Sequence, residues 1–118
     1  MSSTRLYHKD VFLPELVRED TVVRLRYSRH AQAEADSDRY GHISLPQRLD
    51  TRDAVLIEAE VDPHRKEVLK RVYRTKLDEK RDMVLVVQPD GLVRTVWVNL
   101  ATDKHGTLDK RKFSTLPM

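Results

Sequence analysis

Met83-Val84-Leu85-Val86-Val87-Gln88-Pro89-Asp90-Gly91-Leu92-Val93-Arg94-Thr95-Val96-Trp97-Val98-Asn99-Leu100 reads as two strands and the turn between them. Both flanks are rich in β-branched residues, and Pro-Asp-Gly lies between them. Pro89 presets the φ of a type I turn and Gly91 supplies a positive φ, so Met83 to Gln88 and Leu92 to Leu100 form a hairpin. Reading backwards from it, Leu77 to Arg81 is a polar turn and Val68 to Lys76 is a third strand. Before that, Val55, Ile57, Ala59 and Val61 alternate with Leu56, Glu58 and Glu60. Asp53 to Val61 also tolerates a helical reading, but the period of two favours a strand, which Asp62-Pro63 then turns.

The N-terminal half has a different texture. In Thr21 to Tyr27, Val23, Leu25 and Tyr27 alternate with Arg24 and Arg26, which predicts another strand. Ser28 stands as an N-cap to a helix over Arg29 to Tyr40, carried by Ala31, Ala33 and Ala35 and ended by Gly41. Ser44-Leu45-Pro46-Gln47 has the pattern of a capping box with proline in the first turn, predicting a second short helix from Leu45 to about Leu49. Residues 1–20 form an N-terminal arm whose Val11-Phe12-Leu13-Pro14-Glu15-Leu16-Val17 either docks on the core or meets a partner. The expected fold is α+β: one or two N-terminal helices packed on an antiparallel sheet of about four strands, as a single domain over residues 21–118.

Length and composition narrow the function classes. A chain of 118 residues with 39% apolar residues sustains one core. It has no cysteine, which excludes disulfides, thiolate zinc sites and a cysteine nucleophile. No apolar run approaches the ~18–20 residues that span a bilayer, and Met1 to Asp20 lacks a signal-peptide stretch, so a cytoplasmic protein without membrane contact is expected. The net charge is only +3, but from His64 onward 13 Lys and Arg face 7 Asp and Glu. A polyanion, RNA foremost, is the expected partner of that later half.

Two of the five histidines stand where proton transfer would use them. His30 is in the first turn of the predicted helix, and His105 follows the last strand in Asn99-Leu100-Ala101-Thr102-Asp103-Lys104-His105-Gly106-Thr107. An imidazole exchanges protons near neutral pH, an ammonium such as that of Lys104 neutralises phosphate, and hydroxyls or amides such as those of Thr95, Thr107 and Asn99 hold oxygens. Those are the parts of metal-free RNA cleavage. The plainer alternative is a solvated Lys-His pair in a polar loop. Asp103 and His105 have no third ligand at a metal-binding spacing, so neither metal nor cofactor is expected. In Leu69 to Lys76, alternation puts Lys70, Arg74 and Lys76 on one face and Arg71, Tyr73 and Thr75 on the other. With Arg94 they read as a phosphate-tracking groove in which Tyr73 stacks, or as an edge strand protected by charge. Thr95, Trp97 and Asn99 share a face of their strand, suited to positioning a substrate.

Tyr27-Ser28-Arg29-His30-Ala31, Asp38-Arg39-Tyr40-Gly41-His42-Ile43-Ser44, and Val86-Val87 with the hairpin into Arg94-Thr95-Val96-Trp97 resemble the small RelE/ParE-like toxin domains. These belong to the barnase–EndoU–colicin–RelE assemblage of metal-independent ribonucleases. The resemblance covers roughly residues 21–113 and rests on short motifs. It implies a curved, helix-backed sheet that binds RNA, and acid–base roles for His30, Thr95 and His105. Family members vary their catalytic residues, and some poison gyrase instead. The Asp103-Lys104-His105 element with Thr107 also resembles short bacteriophage proteins. The expected function is thus a toxin-like protein cleaving or binding RNA, with His105, His30, Thr95 and Thr107 catalytic and Lys104, Arg74, Arg94 and Lys70 holding phosphate. The alternative is a non-enzymatic regulator that docks on a host protein, an antitoxin or a nucleic acid.

Overall fold

The computed structural model describes residues 4–103 and 109–117. The strands are β1 (Arg5–His8), β2 (Val22–Arg24), β3 (Arg26–Tyr27), β4 (Arg48–Asp50), β5 (Ala54–Asp62), β6 (Glu67–Lys76), β7 (Arg81–Val87) and β8 (Leu92–Leu100), with one helix, α1 (Arg29–Asp36). Six strands make one sheet in the order β1-β5-β6-β7-β8-β3, and β2 and β4 make a separate two-stranded ribbon. Every pairing is antiparallel except that of β3 with β8.

The meander β5 to β8 follows the alternation in the sequence. Gly91 closes its last turn at φ 89°, with its amide on the Gln88 carbonyl at 2.9 Å. Met83, Leu85, Val87, Val96 and Val98 point to one face, where they meet Ala31 and Ala35 of α1, Ile43, Leu49 and Leu25. Further along that face, Tyr7, Ala59 and Val61 are covered by Val17, Phe12 and Leu13. The far face carries Ile57, Val72 and Val84 with Val86 and Trp97. Burying a side chain such as Leu85 contributes about 1.5–3 kcal/mol.

The expectation of helices packed on a four-stranded antiparallel sheet does not hold. The protein is mostly β, with six strands in a mixed sheet, two more in the ribbon, and a single eight-residue helix. Part of the extra strand content comes from segments too short to announce themselves. Residues 5–8 of the N-terminal arm pair with β5 as an edge strand. The predicted strand 21–27 is interrupted at Leu25, so that β2 joins the ribbon and β3 joins the sheet. The predicted second helix is absent. Five residues give barely one turn, whose nucleation is unfavourable, whereas pairing Arg48–Asp50 with Val22–Arg24 buries Leu49 and satisfies the ladder.

Ser28 caps α1 as expected, its hydroxyl accepting from the Ala31 amide at 3.0 Å. The helix stops at Asp36, short of Tyr40, because Asp38 is drawn away: one carboxylate oxygen accepts from the Val98 amide at 3.2 Å and the other from the Tyr40 amide at 3.0 Å. Glu34 accepts likewise from the Val96 amide at 3.3 Å. Beyond β3, two carboxylates thus satisfy the outward amides of β8, which closes that edge to pairing. Among the described residues, no helix is long and apolar enough to cross a membrane.

Candidate nucleic-acid interface

The cations of β6 are largely engaged in structure. Arg74 holds Asp82 at 2.7 Å and the Leu100 carbonyl at 3.0 Å, with only 12% of its side chain exposed. Lys70 pairs with Glu60 at 3.3 Å. Arg71 reaches Glu19 at 3.5 Å and the Val17 carbonyl at 2.8 Å. Tyr73 is buried, its hydroxyl donating to Glu19 at 2.7 Å, and burial together with that carboxylate pushes its ionisation well above the usual phenol range. Tyr73 is therefore a core and fastening residue on the helix face, with no free ring to offer a base.

Other expected site residues separate in space. Lys104, His105 and Thr107 lie outside the described residues. His30 is exposed on α1, 3.3 Å from Glu34. Thr95, Trp97 and Asn99 do share a face of β8, opposite Val86, Val84 and Asp82 respectively. That face is the far one, since Trp97 packs with the Val72 and Val84 cluster. A cleft of about 370 Å³ separates β8 from α1, with Trp97 and Arg39 on its walls. Its carboxylates, Glu34 and Asp38, are the ones bonded to β8 amides. Among the described residues, no three His, Asp or Glu groups gather as a metal set.

Exposed arginines collect elsewhere, two of them without an acidic partner among the described residues. On the ribbon, Val23, Leu25 and Leu49 turn inward to the core, so Arg24 and Arg48 turn outward. The register places Arg24 directly opposite Arg48. Neither has an ion pair among the described residues, and like charges in directly opposed positions destabilise a strand pair. The neighbouring acid is already neutralised. Arg52 grips both oxygens of Asp50 at 2.8 Å, and that fork holds the Asp50 carboxyl below its ordinary range. The row continues into β3, where Arg26 meets Asp90 in an exposed pair at 2.8 Å. Arg94 on β8 is also exposed, its carbonyl accepting from the Ser28 hydroxyl at 3.2 Å. Arg24 and Arg26 were visible in the sequence as the polar side of a strand. Arg48 was hidden by its assignment to a helix, and so was the pair it makes with Arg24.

Loop and ribbon are held rigidly behind this row. The Tyr27 hydroxyl donates to the Pro46 carbonyl, and burial raises its pKa to about 12. The Leu25 amide bonds the Gln47 carbonyl at 2.9 Å. Cations spaced along a strand pair are suited to successive phosphates, because the backbone that carries them is already ordered when the anion arrives. No family model, curated protein or solved structure matches this chain.

Proposed function

We propose that this protein binds single-stranded RNA, using the outward face of the β2–β4 ribbon and its continuation through Arg26 and Arg94 to hold the phosphate backbone. The observation that carries the reading is the opposed pair Arg24 and Arg48, a repulsive arrangement without an acidic partner among the described residues. An anion placed between two guanidinium groups turns that repulsion into a forked recognition of phosphate. RNA is also the partner class implied by the RelE/ParE-like resemblance. The proposal is confined to binding. Arg74 and Lys70 are taken up in ion pairs, and of the expected acid–base groups only His30 and Thr95 lie among the described residues.

The test is titration of a labelled single-stranded RNA by fluorescence anisotropy across a range of salt. Wild type should bind with affinity that falls steeply with salt. The Arg24→Glu/Arg48→Glu double variant should bind at least tenfold more weakly at low salt, and its slope of log affinity against log salt should be shallower by about 1.4, two phosphates at about 0.7 each. Equal affinity and slope for the two proteins would sink the proposal.

A further inference from the structure

Beside β4, on the side away from β2, lies a cleft of about 280 Å³. It sits between the ribbon and the ends of β6 and β7. We propose that this cleft receives one amino-bearing nucleobase of the RNA strand, an inference that rests on the phosphate-binding reading above. Its volume falls just below the ~300 Å³ at which small-ligand pockets begin, the scale of a single planar ring system.

Three features of the cleft match a base. The first is the free edge of β4. The ladder to β2 runs through Gln47, Leu49 and Thr51: the Leu25 amide bonds Gln47, the Thr51 amide bonds Thr21 at 2.9 Å, and Val23 opposes Leu49. In an antiparallel pair, alternate residues point both backbone groups to one side. Arg48 and Asp50 therefore turn their N–H and C=O toward the cleft; the Asp50 carbonyl, at the N-cap of the 3-10 turn Thr51–Asp53, accepts that turn's first bond, while the Arg48 backbone has no partner among the described residues. Arg48 thus offers a donor beside an acceptor, the pattern that a base edge complements.

The second is Asp53, which lines the cleft without an ion pair within the described residues. A carboxylate only accepts hydrogen bonds. It rewards the exocyclic amine of adenine, cytosine or guanine, whereas uracil has no amine and its one edge donor, N3–H, stands between two carbonyls that a carboxylate repels. The third is the surround: Pro46, Leu77 and Met83 supply an apolar wall, while Arg48 and Lys76 bring positive charge and have no ion pair among the described residues. Arg48 belongs to both sites, its side chain to the phosphate row and its backbone to the cleft, so a strand lying along Arg24 and Arg48 passes the opening.

Binding of rA8, rC8 and rU8 to the full chain at one salt concentration tests this. Wild type should bind rA8 and rC8 about tenfold more tightly than rU8, the lower part of the range for one good base contact. Asp53→Ala, and separately the cleft-filling Ser44→Trp, should weaken rA8 and rC8 to the affinity of rU8. Equal wild-type affinities with a steep salt dependence would overturn the base pocket and leave the phosphate surface standing. So would a preference that survives in both variants. Absence of binding to all three oligomers would overturn both.

Discussion

Arg74 shows how one side chain's role turns on a partner two residues off its register. It lies opposite Val84 in the β6–β7 ladder, yet its guanidinium reaches diagonally to Asp82, the residue opposite Lys76. The sequence places Arg74 on the correct face of its strand but carries no sign of that diagonal. Arg74→Ala leaves Asp82 and the Leu100 carbonyl without their donor in a largely buried setting. The expected cost is about 3 kcal/mol, the scale of breaking a buried pair from one side. Replacing both partners, Arg74→Met with Asp82→Leu, should recover most of that loss. Urea unfolding of the single and double variants measures it, and a loss below about 0.5 kcal/mol for Arg74→Ala, typical of an exposed residue, would contradict the structural role. The candidate phosphate ligands Arg24 and Arg48 differ in the relevant respect: they are exposed and have no anion beside them among the described residues.

Among the elements, the crossing of the ribbon over the last hairpin turn imposes the tightest requirement. The Gly91 carbonyl accepts from the Arg26 amide at 3.0 Å, starting the parallel pairing of β3 with β8. A Cβ built on Gly91 would lie 2.1 Å from the Arg24 carbonyl oxygen, and φ there is 89°. Gly91→Ala therefore meets two penalties: about 1–2 kcal/mol from the left-handed backbone, and the displacement of β2 or β3 needed to relieve the clash. Thermal melting should show a loss larger than the backbone term alone, and RNA affinity should fall with it because Arg24 and Arg26 flank the contact. A melting temperature equal to wild type would refute the close approach. Gly91 as a turn residue is legible in the sequence; Gly91 as the floor beneath another strand is not. The same division explains α1. Its cap at Ser28 is a local hydrogen bond and was predictable, whereas its early end depends on Asp38 finding an amide of β8 sixty residues away.

Across the whole molecule, acid should act through several exposed carboxylates at once. Asp10, Asp50, Asp78 and Asp109 are each held below the ordinary carboxylate range, chiefly by side-chain hydrogen bonds from Lys9, Arg52, Arg81 and Arg111. A carboxyl whose folded pKa is depressed contributes stability above its unfolded value, and that contribution is lost as pH falls through the folded value. The melting temperature should therefore be level above about pH 5 and decline below about pH 4. Because all four groups are exposed, high salt should soften the decline. Asp50→Asn and Asp78→Asn should each make it shallower; an identical pH profile in both variants would count against this assignment.

The sequence by itself determined the β5–β8 meander, its turns, the capped start of α1, the inward and outward faces of β2, and which residues of β6 share a face. Those features follow from the period of apolar residues and from single-residue dihedral preferences, which act within a few positions. Only the tertiary structure decided that β1 and β4 exist as strands and that the predicted strand 21–27 divides into β2 and β3, since two to four residues acquire extended geometry through the ladder they join. It also decided which cations stay free. Charge counted along the chain pointed to the later half, but ion pairing depends on distance in space, and folding brings acids to Lys70, Arg71 and Arg74 while leaving Arg24 facing Arg48.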